Sequence, residues 1–583
     1  MDTPTSTIET TKGLTKRWKK RSESVSEGPL VDRVLAARDI SPEQANAYLN
    51  PSLKELHDPG LLPYIDIAAR RILDAIQASE RIVVFGDYDV DGITASTILV
   101  RMIRTIRPDA NLGTYIPHRL DEGYGINNSA IEQLASEGAK VIVSVDCGIT
   151  AIEPALVAKR IGVDLIITDH HNPPASRSEL PHAFAVVHPR HPDSEYPFGE
   201  LCGAGVAYKL AWRMSTLHAG SEKVTPACRA ALIDLLGLAA LGTIADIVPL
   251  VNENRVIARH GLLGIARSEN EGLRALIRAS GLESSKVDSE DVGFRLAPRL
   301  NAVGRLGHAK EALELLTEAT GARATELADM LSSLNDERRN VERRIFDQAR
   351  ELAEQSGMTN ADQRAIVLAH EDWHPGVVGI VCSRLVEKFG RPTILMQRVN
   401  GVCKGSGRSI EGFNLHAGLE ACASTLSKFG GHDMAAGMAC EEDRFESFAE
   451  RFIAFSNASL TENDLIPSVR YDTDATMDEL GVRACEQFER LAPFGPGNPK
   501  VRLRVRGKIA GAPKVFGARG DHLSFQLIGQ GGGNGCRVVG WSWSQHANSI
   551  PPGAHIEAIV EPKLSRWNGR VNIEPVLSDL RLI

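Results

Sequence analysis

No CxxC pair occurs anywhere in the 583 residues, and cysteine itself is scarce, with nine in all. That scarcity excludes a thiolate zinc module and a disulfide scaffold, and it implies a reduced, cytoplasmic setting. No window reads as the roughly 18–20 apolar residues of a membrane span. The first 30 residues are polar and basic, unlike a secretory signal. Tandem repeats, long low-complexity tracts and a Ser or Cys nucleophile elbow are also missing. Positive charge is short as well: 66 Lys and Arg face 74 Asp and Glu, a net −8. That balance argues against a nucleic-acid partner only if the charge is spread evenly, and it is not. Residues 500–583 hold twelve Lys and Arg against five Asp and Glu, so this segment is +7 and the remaining 499 residues are −15.

With 43% hydrophobic and 24% charged residues, what remains is a soluble multidomain chain of about three to five domains. Residues 1–27 read as a disordered basic and polar tail, with Lys16, Arg17, Lys19, Lys20 and Arg21 around Trp18. Over 62–270, helical stretches alternate with the apolar runs RIVVFG, AKVIVSV, VDLIIT and FAVV. These lack polar alternation, as strands covered on both faces should, so an α/β domain with a parallel sheet is expected. Residues 271–362 read as a linker with one long helix through LNDERRNVERRIFDQARELAEQ. A second, smaller α/β domain follows at 363–456. The Gly-rich short strands of 466–583 suggest an OB-fold-like β-barrel.

The chemistry concentrates where these strands end. The first runs into GDYDVDG, with Asp87, Asp89 and Asp91 at alternate positions, which on an extended segment share one side. The next ends at Asp146, and the third at Asp169, His170 and His171. The apolar stretch LLGLAALGTIAD, read as a fourth strand end, delivers Asp246. Open α/β sheets place their sites at this edge. Gathered carboxylates repel one another, and a divalent cation resolves the conflict. Mixed Asp and His donors suit Mn²⁺ or Mg²⁺, and so many carboxylates suit two ions about 3.5–4 Å apart, an arrangement that serves displacement at phosphorus.

GDYDVDG, VDCG, the DHH triplet at 169–171 and the later IAD resemble the motifs of the DHH phosphoesterase superfamily. YIPHRLDEGYG, GFRLAPRLNAVGRLGHA, WHPGVVGIVCSRL, KGSGRS, FGGHDMAAG and LAPFGPGNP extend the likeness over nearly the whole chain. They resemble the RecJ-type family of single-strand-specific 5′→3′ exonucleases. The resemblance implies hydrolysis of single-stranded DNA to 5′ mononucleotides in repair and recombination, with two Mn²⁺ or Mg²⁺ ions. Asp87 and Asp89 would hold the first ion, Asp91, His170 and Asp246 the second, with Asp146 bridging. His171 would stand near the scissile phosphate, and Asp169 would support the histidines. Arg119, Ser406 and Arg408 would bind the 5′ phosphate. Gly431 and His432, preceded by Gly430, match a motif at which backbone approaches substrate. Single-strand-binding protein, a DNA helicase and a monomeric state are implied on the same basis.

Two readings rest on the residues themselves. Arg299, Asn301 and Arg305 lie in a Gly- and Pro-punctuated loop that either lines the path to the metals or packs. Arg502, Arg504, Arg506 and Lys508 alternate with Val501, Leu503 and Val505, giving a strand one basic face over roughly 20 Å, a DNA track. Of Phe516, Phe525, Trp541, Trp543 and Trp567, one or two are expected exposed for base stacking. The rivals are a phosphodiesterase acting on dinucleotides or very short oligoribonucleotides, which needs no extended track, and a metal-free nucleic-acid scaffold, which needs no intact Asp/His set.

Overall fold

The computed structural model describes residues 10–22, 27–118, 122–123, 125–282, 286–529, 535–567 and 569–583. The chain divides into two compact units. One is Pro51–Arg338 with Pro493–Pro499, and the other is Met1–Asn50, Arg339–Ala492 and Lys500–Ile583.

In the first unit the apolar runs form a five-stranded parallel sheet. Its order is Leu112–Tyr115, Arg81–Gly86, Ala139–Val145, Asp164–Thr168, Ala185–Val187. The absence of polar alternation has the expected cause. Ile82, Val84, Val143 and Ile166 enter the core on one face, while Val83, Phe85, Ile142 and Ile167 enter a second core on the other. Strand order reverses at Arg81–Gly86, which has the following strand on one side and Ala139–Val145 on the other. Such a reversal opens a crevice at the carboxyl edge.

Four expectations are corrected in this unit. Residues 87–91 are not extended: Asp89 caps the helix Val90–Ile106 by accepting from the Gly92 amide, and Asp91 lies in the first helical turn. A turn rather than strand alternation gathers these carboxylates. Asp246 comes from the end of the helix Pro226–Ala245, not from a strand. That helix is also long and apolar enough to cross a membrane, with a mean hydropathy of 1.7, contrary to the reading that no such window exists. Its apolarity reflects packing, since Leu235 to Thr243 are all buried and it contacts the helices Val90–Ile106, Gly203–Ala219 and Asn252–Ile265. Finally, the segment with Arg299, Asn301 and Arg305 is not a loop. A π-helical turn, Val292–Leu296, runs into the helix Ala297–Leu306, and Pro298 follows that turn after Ala297.

The Glu/Arg/Ala-rich connector is the 35-residue helix Gly321–Gln355. In the second unit a mixed sheet follows, ordered Lys428–Gly431, Ala435–Glu441, Val402–Arg408, Thr393–Val399, Ile366–His370. The last block is a closed barrel. Leu503–Phe516, His522–Ile528, Cys536–Gly540, Val576–Leu582 and His555–Glu561 pair in that order, and the last returns to the first.

Of the tail expected over 1–27, residues 1–9 and 23–26 lie outside the described residues, and residues 10–22 depart from the expectation. Thr10–Lys12 and Arg17–Lys20 form a hairpin, and Arg17–Lys20 adds in parallel to Ser468–Tyr471. Trp18 is completely buried with Val469, Tyr471 and Ile559. Its indole N–H donates to Asp579 at 2.7 Å, and the same carboxylate accepts from the Thr15 and Lys16 amides. The order of these residues therefore comes from partners at the far end of the sequence, which local composition cannot show. All nine cysteines are free thiols.

Candidate active site

Asp87, Asp91, Asp146 and Asp169 are almost fully buried at the carboxyl edge of the parallel sheet. Asp91 turns inward from the helix start, and its two oxygens accept from the Gly203 and Ala204 amides at 2.6 and 2.8 Å. Those amides are the unsatisfied donors at the start of the helix Gly203–Ala219, a position that favours a negative charge. Glycine is required there, because a Cβ on Gly203 would stand 2.6 Å from Asp146 Oδ1. On Gly242 it would stand 2.5 Å from Asp91 Oδ1. Asp146 holds φ at +60°, a left-handed conformation that Asp tolerates better than most residues, and its amide donates to Thr168 O.

His170 joins these carboxylates into one cluster. Its Nε2 lies 3.1 Å from Asp146 Oδ1, 3.5 Å from Asp246 Oδ2 and 3.7 Å from Asp91 Oδ2. The nitrogen is buried and none of the three is aligned as a hydrogen bond. Three groups of donors converge closely enough to hold a cation: Asp87, Asp89 and Asp146; Asp91, His170 and Asp246; and Asp146, His170 and His171. Asp146 and His170 each belong to two of them.

The electrostatics favour the same outcome. Burial, then repulsion from Asp91, Asp89, Asp87 and Asp246, raises the Asp146 carboxyl well above its ordinary value. Burial and the charges of Asp91 and Asp89 push Asp246 up to about 9, and Asp89 is raised for similar reasons. Burial lowers His170. Without a cation the protein holds protons here that water would remove, and acidic oxygens with a neutral imidazole are a donor set that fits Mn²⁺ or Mg²⁺.

A pH dependence with a definite sign follows. Folded-state values raised above the unfolded ones mean that the metal-free fold binds more protons than the unfolded chain. The contribution of these groups is therefore fully present below about pH 4 and is lost as pH rises toward about 9. Cation binding must displace the same protons, so its stabilising effect grows over that interval. In melting experiments with EDTA or saturating Mn²⁺, the increment due to Mn²⁺ should be larger at about pH 8.5 than at about pH 6. An increment that shrinks with rising pH contradicts this account.

Asp169 is occupied otherwise. Its Oδ1 accepts from the His170 and His171 amides at 2.7 and 3.1 Å and lies 2.7 Å from His171 Nδ1, while Oδ2 accepts from the Ile149 amide at 2.9 Å. Burial opposes ionisation, but the His171 bond and charge hold this carboxyl at about 2. Burial would lower His171 in turn, yet Asp169 carries it up to about 9. Asp169 thus orients and charges an imidazole that remains half-exposed.

Residues that sequence reasoning missed hold this loop. His188 Nε2 donates to His171 O at 2.7 Å, and Arg190 donates to His170 O at 2.6 Å and to Asn172 Oδ1 at 2.9 Å. Their one sequence signal is HPR directly after the FAVV strand, and the amides of 203–204 have only the glycines of CGAG.

The remaining expected residues are more dispersed. Arg119 lies outside the described residues. Arg299 donates to Arg295 O and Ser332 Oγ, and Asn301 Oδ1 accepts from the Val90 amide at 3.2 Å, so this helix supports the start of the catalytic one. Arg305, in its last turn, is half-buried. In the second unit, Ser406 and Arg408 lie on one strand beside the start of the helix Val378–Phe389. There a Cβ on Gly379 would stand 3.2 Å from Arg408 Nη2 and 3.5 Å from Ser406 Oγ. A guanidinium and a hydroxyl at a helix N-terminus are suited to an anion. Gly430 and Gly431 end a strand, with Gly431 at φ +137°, and His432 beside them is exposed.

The basic track is corrected. The alternation exists, with Leu503, Val505 and Ile509 buried, but the charges do not form a free row. Arg504 pairs with Asp474 and lies over the Tyr471 ring, and Arg506 pairs with Glu557 at 2.6 Å. Lys508 is exposed. Of the aromatics, Phe525 and Trp543 are buried, Phe516 is half-buried and Trp541 is exposed, while the Trp567 side chain lies outside the described set. Trp541 lies edge-on to Phe516 and His522 at 5.8 and 4.7 Å, and Arg537 stacks over Phe516.

Comparison with known proteins connects these parts. Residues 81–243 match the DHH family, N-terminal domain, residues 362–458 the DHHA1 domain, and residues 471–579 the RecJ OB domain. The single-stranded-DNA-specific exonuclease RecJ of Bacillus subtilis is 38% identical over 564 residues, covering 96% of this chain and 69% of that protein. The chain belongs to the RecJ family. The RecJ of Thermus thermophilus in complex with Mn²⁺ superposes with a TM-score of 0.78 at 32% identity, over 97% of this chain and 79% of that one. The same RecJ in complex with Mg²⁺ gives 0.73 at 30% identity, over 97% and 78%. The RecJ fold thus covers the parallel-sheet domain, the second α/β domain and the barrel alike.

Proposed function

We propose that the chain is a metal-dependent exonuclease that hydrolyses single-stranded DNA from its 5′ end to mononucleotides, using two Mn²⁺ or Mg²⁺ ions. The observation that carries the reading is the convergence of Asp89, His170 and Asp246 on the buried Asp87, Asp91 and Asp146, with Asp146 and His170 each shared between donor groups. Asp87 and Asp89 would hold one ion, Asp91, His170 and Asp246 the other, and Asp146 both. Bound there, the ions supply Lewis-acid activation of water and neutralise charge developing on the phosphoryl oxygens.

The chain's own groups supply the rest. The Gly203 and Ala204 amides hold and aim the Asp91 carboxylate. Asp169 fixes the His171 ring, which is positioned to donate a proton or charge to the leaving oxygen. Ser406 and Arg408 offer a hydroxyl and a guanidinium to a terminal phosphate, with Arg119 implied by the family motif. A closed OB-type barrel with an exposed Trp541 suits single-stranded substrate. We also propose a cytoplasmic setting and a place in repair and recombination beside a single-strand-binding protein and a helicase.

The deciding experiment is digestion of 5′-labelled single-stranded and blunt duplex DNA with and without Mn²⁺. Rapid release of labelled mononucleotide from the single strand alone, and only with metal, is expected. Equal cleavage of duplex, or activity in EDTA, overturns the reading. Preference for a dinucleotide over a long oligonucleotide assigns the chain to the small-substrate phosphodiesterases instead.

A further inference from the structure

Ile247 directly follows Asp246, whose Oδ2 lies 3.5 Å from His170 Nε2 in the metal-binding cluster. It terminates the helix Pro226–Ala245 with φ at +62°. The left-handed region brings Cβ against the following carbonyl, and a β-branched side chain suffers most. Glycine or asparagine is the residue that ends a helix in this way without strain.

Among the described residues nothing offsets the strain. The Ile247 side chain is 70% exposed, whereas Val248 packs against the core and Leu250 is buried. Its backbone amide makes only a long bond to Ile244 O, at 3.4 Å, which any residue would make. The reversal itself is required, because it lets Asp246 face the other ligands while the chain turns back into the core. The isoleucine is not: for folding alone, glycine serves better. An exposed apolar side chain held in a costly conformation beside a metal ligand points to a contact made only when substrate is present.

We propose that Ile247 is a substrate-binding residue, packing against an apolar surface of the nucleotide whose phosphodiester is held by the metal cluster. The two such surfaces of a nucleotide are the face of the base and the deoxyribose ring. Either contact is independent of base identity, as a nuclease that degrades any sequence requires. The inference rests on the exonuclease reading above and adds to it a specific binding contact.

The test compares I247G, I247N and I247V with the parent chain on a single-stranded oligonucleotide with Mn²⁺. Glycine and asparagine both accept the backbone conformation and remove the apolar contact, so both should raise KM by about tenfold, the order expected for one lost aliphatic contact. I247V keeps the apolar surface and the strain, and its KM should stay within about twofold. Melting temperatures of I247G and I247N should equal or exceed that of the parent, and Mn²⁺ binding followed by electron paramagnetic resonance should be unchanged in all three. On an oligonucleotide with abasic 5′-terminal positions, loss of the I247N penalty assigns the contact to the base, and its persistence assigns it to the sugar. A parental KM in I247G and I247N, with parental DNA cleavage intact, overturns the contact and leaves the exonuclease reading standing. A parent chain that does not cleave single-stranded DNA overturns both.

Discussion

Asp146→Asn should lower kcat for single-stranded DNA by at least about a thousandfold, while the metal-free protein becomes more stable rather than less. Both signs come from the same geometry. Asp146 is the carboxylate shared between the Asp87/Asp89 group and the His170/His171 group, so its loss weakens donor sets on either side. It is also buried among Asp91, Asp89, Asp87 and Asp246, which raise its carboxyl well above the ordinary range, so a neutral amide relieves repulsion in the absence of a cation. Asparagine tolerates the left-handed φ of +60° at least as well as aspartate, which makes it a cleaner probe than alanine. Single-turnover cleavage with Mn²⁺, a Mn²⁺ binding isotherm and a melting curve in EDTA read the three quantities separately. Activity within about tenfold of the parent would remove Asp146 from its bridging role.

Lys209→Met should cost about 3–5 kcal/mol of stability, although residue 209 contributes no ligand to the site. Lys209 and Glu253 form an ion pair with both side chains fully buried, at 2.5 Å. The ammonium also donates to His57 O at 2.7 Å, and Glu253 accepts from the His57 amide at 2.8 Å and from the Tyr196 hydroxyl at 2.5 Å. Every charge in this group is answered, and removing the lysine strands a carboxylate in a dry interior. The penalty should be largely recovered in Lys209→Met/Glu253→Leu, because an apolar pair of similar volume avoids the desolvation of two ions. Denaturant unfolding checks both variants, and a loss below about 1 kcal/mol for the single variant contradicts the argument. Lys209 lies on the helix whose first amides hold Asp91, so the same variant should also weaken Mn²⁺ binding.

Much of the site is legible in the sequence because its signals are local. Asp87, Asp146 and Asp169 each follow an apolar run directly, and a run covered on both faces declares its own end. The errors occur where the deciding partner is distant. The stretch before Asp246 resembles a buried strand because its helix is apolar on nearly every side, and apolarity without period does not separate the two. The alternation of Arg504 and Arg506 is real, but Asp474 and Glu557 lie on strands whose place beside them depends on sheet order. The grip of Gly203 and Ala204 on Asp91 spans 112 and 113 residues and leaves no spacing to recognise. Trp18 reads as an ornament on a basic tail because Asp579 is 561 residues away.

That last separation also sets a schedule. At roughly 5–20 residues per second, the ribosome needs about half a minute to two minutes between Trp18 and Asp579. The parallel-sheet core, drawn from Leu62 to Leu331, is complete long before then. For most of that interval the hairpin of residues 10–20 has neither the strand Ser468–Tyr471 nor the Asp579 carboxylate to bind. Until Asp579 is made, a nascent chain therefore carries a tryptophan among lysines and arginines without the carboxylate that binds its indole. Concealment of Trp18 is a sign that translation has passed Asp579, and a chain cut short before that residue leaves the hairpin of residues 10–20 open to proteases.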